Sequence, residues 1–174
     1  MPTFLQLLTS NMENLLIKVY KKPKLSAFLK ISSHIISAFF VLFFALILGV
    51  IIYSEIYIDA LLVAASALVG YVALTLMRRL IDAPRPYELY GFYENKPKEK
   101  RGRSFPSRHA YSAFCIATLG FIISNILAPI MLLLALLICV SRVLLGIHFI
   151  RDVIAGALIG VLSGALGISV LYLF

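Results

Sequence analysis

Three short clusters of polar residues, set in an otherwise apolar chain of 174 residues, hold its candidate chemistry. The third cluster is Ser141-Arg142, five residues, His148, three residues, Asp152. If helix continues past His148, the carboxylate lies one turn along the same face, within reach of the imidazole. A carboxylate that accepts one ring N–H fixes the tautomer and leaves the other nitrogen a lone pair, which can attack an electrophile. Arg142 brings a planar fork of donors suited to phosphate oxygens. Nucleophile, orienting group and anion clamp thus fall within a dozen residues.

The second cluster, Pro106-Ser107-Arg108-His109, stands at a predicted helix start. Free backbone N–H groups and the positive end of the helix dipole make such a start attractive to an anion. A histidine there can protonate a departing alkoxide. The first cluster is Arg78, six residues, Arg85-Pro86. It adds two guanidinium groups at the same membrane level. A phosphoryl transition state spreads negative charge over its equatorial oxygens, and catalysis is mainly positioning plus donors aimed at them. Three arginines, a serine hydroxyl and helix-start N–H groups can supply those donors, with two histidines in line as nucleophile and acid. No cluster of Cys, His and carboxylates has metal-ligand spacing, so neither a metal nor another cofactor is expected.

Such groups must be carried by elements that live in lipid. Apolar residues make up 61% of the chain and charged residues 14%, with mean hydropathy +0.99. A soluble domain carries about 25% charged residues, so this chain lacks a soluble surface. From Ser107 onward the formally charged residues are only Arg108, Arg142, Arg151 and Asp152, and each such group in an apolar span needs a reason. Runs long enough to cross a bilayer are expected at about 31–53, 57–77, 106–124, 126–146 and 149–173. Residues 1–30 alternate apolar and polar and break at Lys21-Lys22-Pro23-Lys24, which suits a helix lying in the interface. Gly156, Gly160 and Gly164 let another helix approach the last span closely. The expected fold is all-α: a single membrane-embedded domain over 1–174, with about five transmembrane helices, an N-terminal interfacial amphipathic helix over 1–30 and a polar active-site loop over 78–105. The net charge of +8 borders apolar spans and forms no soluble basic face. Anionic lipid or phosphate is therefore the expected partner, and nucleic acid is not.

Taken in order, Arg78-x6-Arg85-Pro86, Pro106-Ser107-Arg108-His109 and Ser141-Arg142-x5-His148-x3-Asp152 resemble the three-part signature of the type 2 phosphatidic acid phosphatase (PAP2) superfamily. The resemblance implies metal-independent hydrolysis of a lipid phosphate through a phosphohistidine at His148, oriented by Asp152. It implies His109 as acid for the leaving group and later as base for water, with Arg78, Arg85, Ser107 and Arg142 holding the phosphate. The short chain is most similar to the bacterial branch, whose substrates are phosphatidylglycerol phosphate, undecaprenyl pyrophosphate, phosphatidic acid and the 1-phosphate of lipid A. Two positions depart from the family. Arg78 stands where lysine is usual, keeping charge but changing donor geometry. Arg108 stands where glycine is usual, and would carry strain if that position needs a positive φ. The expected role of Arg108 is a contact to a bulky or doubly phosphorylated head group.

Other polar residues have blander readings. His34 is expected to be a satisfied core group, Arg79 and Arg103 to be membrane-edge charges, and Lys96, Lys98, Lys100 and Arg101 to form a solvated loop face. Tyr87, Tyr90, Phe92 and Tyr93 are expected as interfacial anchors, and Cys115 and Cys139 as small core residues. Two other functions fit the same residues: a phosphotransferase, which hands the phosphoryl group to an acceptor other than water, and a non-enzymatic lipid transporter or binding protein. All sixteen Lys and Arg residues fall on one face of a five-span layout, which the positive-inside rule assigns to the cytoplasm. The resemblance assigns that face to the periplasmic side of a bacterial inner membrane.

Overall fold

Among the described residues four helices are long and apolar enough to cross a membrane, and they pack around a shorter one. The computed structural model describes residues 4–90 and 102–171, with side chains from residue 12. In chain order the helices are α1 Phe4–Tyr20, α2 Pro23–Tyr53, α3 Tyr57–Ile81, α4 Pro86–Leu89, α5 Arg108–Leu119, α6 Leu127–Leu144 and α7 Ile150–Val170, with a 3-10 turn at Gly120–Ile122. The spans are α2, α3, α6 and α7.

The expected span at 106–124 is α5, and its 12 residues reach only about 18 Å at about 1.5 Å per residue. That falls well short of the roughly 30 Å hydrocarbon core. It does not need to match the bilayer, because eight of its twelve residues are buried by protein. Its alanines, serine, cysteine and threonine are small or weakly polar, as suits a helix packed on every side. The expected five spans are thus four lipid-facing helices around a short central one.

The N-terminal boundary also shifts. The break falls at Lys21-Lys22, and α2 begins at Pro23 rather than near Ile31. Proline at the first helical position lacks only an N–H that had no partner there, so Pro23 starts α2 and the seven residues 24–30 join it. The amphipathic segment is accordingly α1, whose Leu16 and Val19 are buried where it packs on α2 and α6.

Phe40, Phe43 and Ile47 of α2, Val63 and Leu74 of α3, and Met131, Ala135 and Ile138 of α6 converge on Tyr111 and Leu119 of α5. On the outer faces, large apolar side chains such as Leu42, Val69 and Leu162 stand exposed, as a lipid-facing surface requires. Against α5 the last helix presents a stripe without side chains. A Cβ on Gly156 would strike the Ser107 carbonyl oxygen, one on Gly160 the Tyr111 carbonyl oxygen, and one on Gly164 would sit 2.8 Å from the Cys115 carbonyl oxygen. The two backbones are therefore in contact along three successive turns. Gly160→Val is expected to lower stability by about 1–3 kcal/mol through overpacking, read as a lower midpoint of thermal unfolding in detergent. Gly49→Ala is the control, since a Cβ there meets nothing within 4 Å, and it should leave the midpoint in place.

Candidate active site

The three polar clusters meet at one end of the bundle, joined by backbone. Ser107, the N-cap of α5, donates its N–H to the Asp152 carbonyl oxygen at 2.9 Å and accepts the Ala110 N–H on its hydroxyl. The second cluster is thereby tied to the third. Arg78, in the last turn of α3 and 4% exposed, donates from Nη1 to the Ser104 carbonyl oxygen at 3.1 Å and to that of Pro106. The first cluster is thereby tied to the second. Arg85 donates from Nε to the Gly102 carbonyl oxygen at 3.0 Å, and Glu88 on α4 accepts the Gly102 N–H at 2.7 Å. Buried guanidinium groups need such acceptors, and here the re-entering segment 102–107 provides them.

The turn between α6 and α7 carries His148. Arg142, buried in the last turn of α6, accepts the Ile147 N–H on its carbonyl oxygen. The turn reverses at Gly146, whose φ of +64° suits a residue without a Cβ. Tyr87 donates its N–H to the Gly146 carbonyl oxygen at 3.1 Å, Tyr20 of α1 donates its hydroxyl to the Leu145 carbonyl oxygen at 3.2 Å, and Leu16 lies against Gly146. Two flanking elements, α1 and α4, thus brace this turn.

Helix does not run through His148. The last helix begins at Ile150, and Asp152 sits in its first turn with Oδ2 accepting the Phe149 N–H at 3.0 Å. The expected direct imidazole–carboxylate bond is not formed either: His148 Nδ1 and Asp152 Oδ2 are 3.7 Å apart, beyond hydrogen-bond length. Ser104 fills the gap. Its hydroxyl donates to Asp152 Oδ2 and its oxygen lies 3.3 Å from His148 Nδ1. All three side chains are nearly fully buried. A serine has one proton, and when that proton goes to the carboxylate only lone pairs face the imidazole. Hydrogen-bond logic thus assigns a proton to Nδ1 and the ring lone pair to Nε2. Burial, helped by nearby Arg85 and opposed by Asp152, holds the His148 imidazole below the usual histidine range.

Every other expected site residue is in this cluster. His109, one position into α5 beyond Arg108, lies close to the guanidinium groups of Arg142 and Arg108 and to the His148 ring. Arg108 is the first residue of α5 and is not among the positive-φ positions Glu55, Asp82 and Arg103, so arginine carries no left-handed strain where the family has glycine. Its Nη1 donates to the Tyr71 hydroxyl at 3.3 Å. Two cavities meet at Arg108. One, of about 350 Å³, is lined by five arginines (78, 79, 85, 103 and 108) with Thr75 and Asp82. The other, of about 300 Å³, runs over His109 and Ser112 between Phe40, Val41, Ile116 and Ile138. Arg108 thus stands between a basic basin and an apolar groove.

Several sequence expectations change. Ser104 carries no signal in the sequence, because a serine in a basic loop has no informative spacing; the Phe105-Pro106 pair that follows it is the nearest sign that the chain re-enters protein there. Arg79 and Arg103 face the basin, although both also reach solvent. Tyr87 is no interfacial anchor: it is 1% exposed, because its backbone pairs with Gly146. Phe92, Tyr93 and the lysines at 96, 98 and 100, with Arg101, lie outside the described residues. His34 is exposed on α2, with Nδ1 2.6 Å from the Lys30 carbonyl oxygen, and so is no core group. Cys115 and Cys139 are buried, free thiols. Among the described residues no three His, Cys, Asp or Glu side chains gather as a metal-ligand set.

Residues 56–173 match the PAP2 superfamily. The chain is 27% identical over 154 residues to dolichyldiphosphatase of Saccharomyces cerevisiae, covering 82% of this chain and 61% of that protein. It is 32% identical over 111 residues to decaprenylphosphoryl-5-phosphoribose phosphatase of Mycobacterium tuberculosis, covering 63% and 60%. These alignments span less than two thirds of the length of each of these curated relatives. The crystal structure of a transmembrane PAP2 type phosphatidylglycerolphosphate phosphatase from Bacillus subtilis superposes with TM-score 0.71 over 94% of this chain and 85% of that one. At 22% identity that likeness bears on the fold.

The bridged geometry has a spectroscopic consequence. In ¹⁵N spectra of the protein in detergent, the His148 imidazole is expected to be neutral at pH 6.5, where an exposed histidine is about half protonated, with its proton on Nδ1. Ser104→Ala should leave a mixture of the two neutral tautomers. A His148 half protonated near pH 6.5, or one whose tautomer ignores Ser104, would contradict the bridge.

Proposed function

The chain belongs to the PAP2 superfamily, and on that premise we propose that it is an integral-membrane phosphatase that hydrolyses a lipid phosphate through a phosphohistidine on His148, without a metal. The observation that carries the reading is the buried His148–Ser104–Asp152 chain, which holds the proton at Nδ1 and so presents the Nε2 lone pair to phosphorus.

In the first step a bond forms from Nε2 to phosphorus and the bond from phosphorus to the lipid oxygen breaks. His109 protonates the departing oxygen. The imidazolium charge that develops on His148 is stabilised by Asp152 through the Ser104 hydroxyl. In the second step His109 takes a proton from water, the water oxygen attacks phosphorus, and the P–N bond breaks to restore His148 and release inorganic phosphate. Arg85, Arg142, the Ser107 hydroxyl and the helix-start N–H groups meet the equatorial oxygens. Arg78 has five N–H donors; those on Nη1 brace the loop carbonyls, and the rest of its fork carries charge to the same place.

Substrate class follows from the two cavities. The apolar groove lets tails remain among α2, α5 and α6 while the head group enters the basic basin, which suits a phosphate monoester or pyrophosphate attached to lipid. The relatives' names, dolichyldiphosphatase and decaprenylphosphoryl-5-phosphoribose phosphatase, agree with a lipid-linked phosphate. On the family resemblance, the site faces the periplasmic side of a bacterial inner membrane.

Two experiments test this. The purified protein should release phosphate from lipid phosphates with EDTA present. His148→Ala should fall to background, and His109→Ala should lose about 10²–10⁴-fold; turnover that survives His148→Ala would remove histidine as the nucleophile. For sidedness, Lys24→Cys adds an exposed thiol to a chain whose own two are buried. A membrane-impermeant maleimide should label it in intact cells, and labelling only after lysis would put the site in the cytoplasm.

A further inference from the structure

His148 takes its place from a glycine two residues earlier. Gly146 holds a φ of +64°, and glycine populates positive and negative φ about equally, so the residue itself does not keep the turn as it is. Within the turn, the N–H groups of Leu145, Gly146 and Ile147 return to the carbonyl oxygens of Ser141, Val143 and Arg142, which satisfies the end of α6. Two peptide planes meet at the Gly146 Cα, and their carbonyls, those of Leu145 and Gly146, are held from outside the turn. Tyr87 gives its N–H to the Gly146 carbonyl oxygen. Tyr20 gives its hydroxyl to that of Leu145, 125 positions away. One plane is thus restrained by backbone of α4 and the other by a single side-chain oxygen of α1.

The helix behind Tyr20 follows the same surface. Leu16, one turn earlier on the same face, is 1% exposed, and its methyl carbon comes 3.4 Å from where a Gly146 Cβ would lie. Glu13, three residues before that, is close enough to Tyr90 to act electrostatically on its hydroxyl, and Tyr90 is the C-cap of α4. One face of α1 therefore lies across both α4 and the turn, while Leu15 and Lys18 are exposed. Leu16 and Tyr20 also fall outside residues 56–173, the part that matches the family. We propose that Tyr20 is a positioning residue: through Leu145 and Gly146 it fixes the backbone that carries His148, and α1 is the strap that keeps its hydroxyl in place. This rests on the phosphohistidine reading. Nε2 must lie in line with the bond that breaks, and a misplacement of about 1 Å costs about 100-fold in rate. A cavity of about 270 Å³ between Val19, Tyr20, Ser26, Ala27, Lys30 and Leu145 leaves room for water to reach the Leu145 carbonyl once the hydroxyl is gone. The carbonyl then keeps a partner, but a water is not tied to α1 and does not fix the turn. Loss of the hydroxyl therefore acts on rate and not on folding.

The test uses the full-length protein in detergent with EDTA, against phosphatidic acid, an isoprenyl monophosphate and an isoprenyl diphosphate. On the lipid turned over best, Tyr20→Phe should lower kcat about tenfold and leave KM within about twofold, because the arginine donors are untouched. The midpoint of thermal unfolding should stay in place. Leu15→Ala, on the exposed face, should match the wild type. Gly146→Asn, which accepts the left-handed conformation and has fewer alternatives than glycine, should restore part of the rate to Tyr20→Phe. In ¹⁵N spectra the His148 imidazole of Tyr20→Phe should show both neutral tautomers, because the ring loses its register with the Ser104 hydroxyl. A kcat that Tyr20→Phe leaves unchanged, while turnover still depends on His148, would overturn the strap and leave the phosphatase reading intact. A deficit seen in KM alone would make Tyr20 a substrate contact, and one that comes only with a lower unfolding midpoint would make the bond merely structural; either overturns the proposal. If the wild type releases phosphate from none of the lipids, the phosphatase reading fails and the ring signals still decide the strap. Two tautomers in Tyr20→Phe then support it, and a single form protonated on Nδ1 overturns it.

Discussion

The backbone of α5 lies directly on the backbone of α7, and the site exists only because of that contact. Gly156 stands one turn beyond Asp152, and it is there that the Ser107 carbonyl approaches too closely for any side chain. On the same level the Ser107 N–H reaches the Asp152 carbonyl. One missing Cβ thus brings the start of α5, with its cap, its free N–H groups and His109, against the start of α7, with the carboxylate that faces His148. Separating the helices by the width of a methyl group would pull the second cluster away from the third. In a membrane, where apolar burial gives no net drive between helices, close backbone packing of this kind is a main source of association. The same residues therefore serve cohesion and chemistry.

Polar groups at such a place carry a desolvation cost, and the structure meets much of it with backbone hydrogen bonds. Arg78 is buried and spends Nη1 on two carbonyls of the re-entering loop, Arg85 donates to a third, and Ser104 and the Phe149 N–H both donate to Asp152 Oδ2. The arrangement orders itself from outside inward. Tyr20 and Leu16 of α1 and Tyr87 of α4 hold the turn at 145–146, the turn holds His148, and Ser104 sets which ring nitrogen carries the proton. A site built this way is preorganised, so little reorganisation remains when phosphate charge develops.

Sequence spacing carried the site a long way and then stopped at a definite point. The eight residues expected from the three clusters do come together, because charge in apolar sequence is rare enough that each instance is informative. Helix types and most ends were legible for a similar reason: hydropathy reports lipid exposure. It does not report length in a helix that lipid never touches, and α5 was therefore read as a full span when its ends are set by Ser107 and by the turn at Gly120. Ser104 was invisible because hydrogen bonding between residues 44 and 48 positions apart leaves no local pattern. Arg79 and Arg103 are exposed, as membrane-edge charges would be, and also line the basin, which no local sequence pattern reports. The sequence also suggested helix through His148, where a turn gives the imidazole a different route to its carboxylate.

The shortness of α5 has a mechanical meaning of its own. A helix that spans lipid is located by the thickness of the bilayer and by its interfacial anchors. A buried helix of about 18 Å has no such reference, and its depth is set by what it packs on. Because α5 is registered against α7 glycine by glycine, and α7 begins at the turn that carries His148, the relation between the histidines at 109 and 148 is set by protein packing. A site that requires alignment at the scale of a hydrogen bond is thus referenced to backbone contact between two helices, and only one of them, α7, also faces lipid.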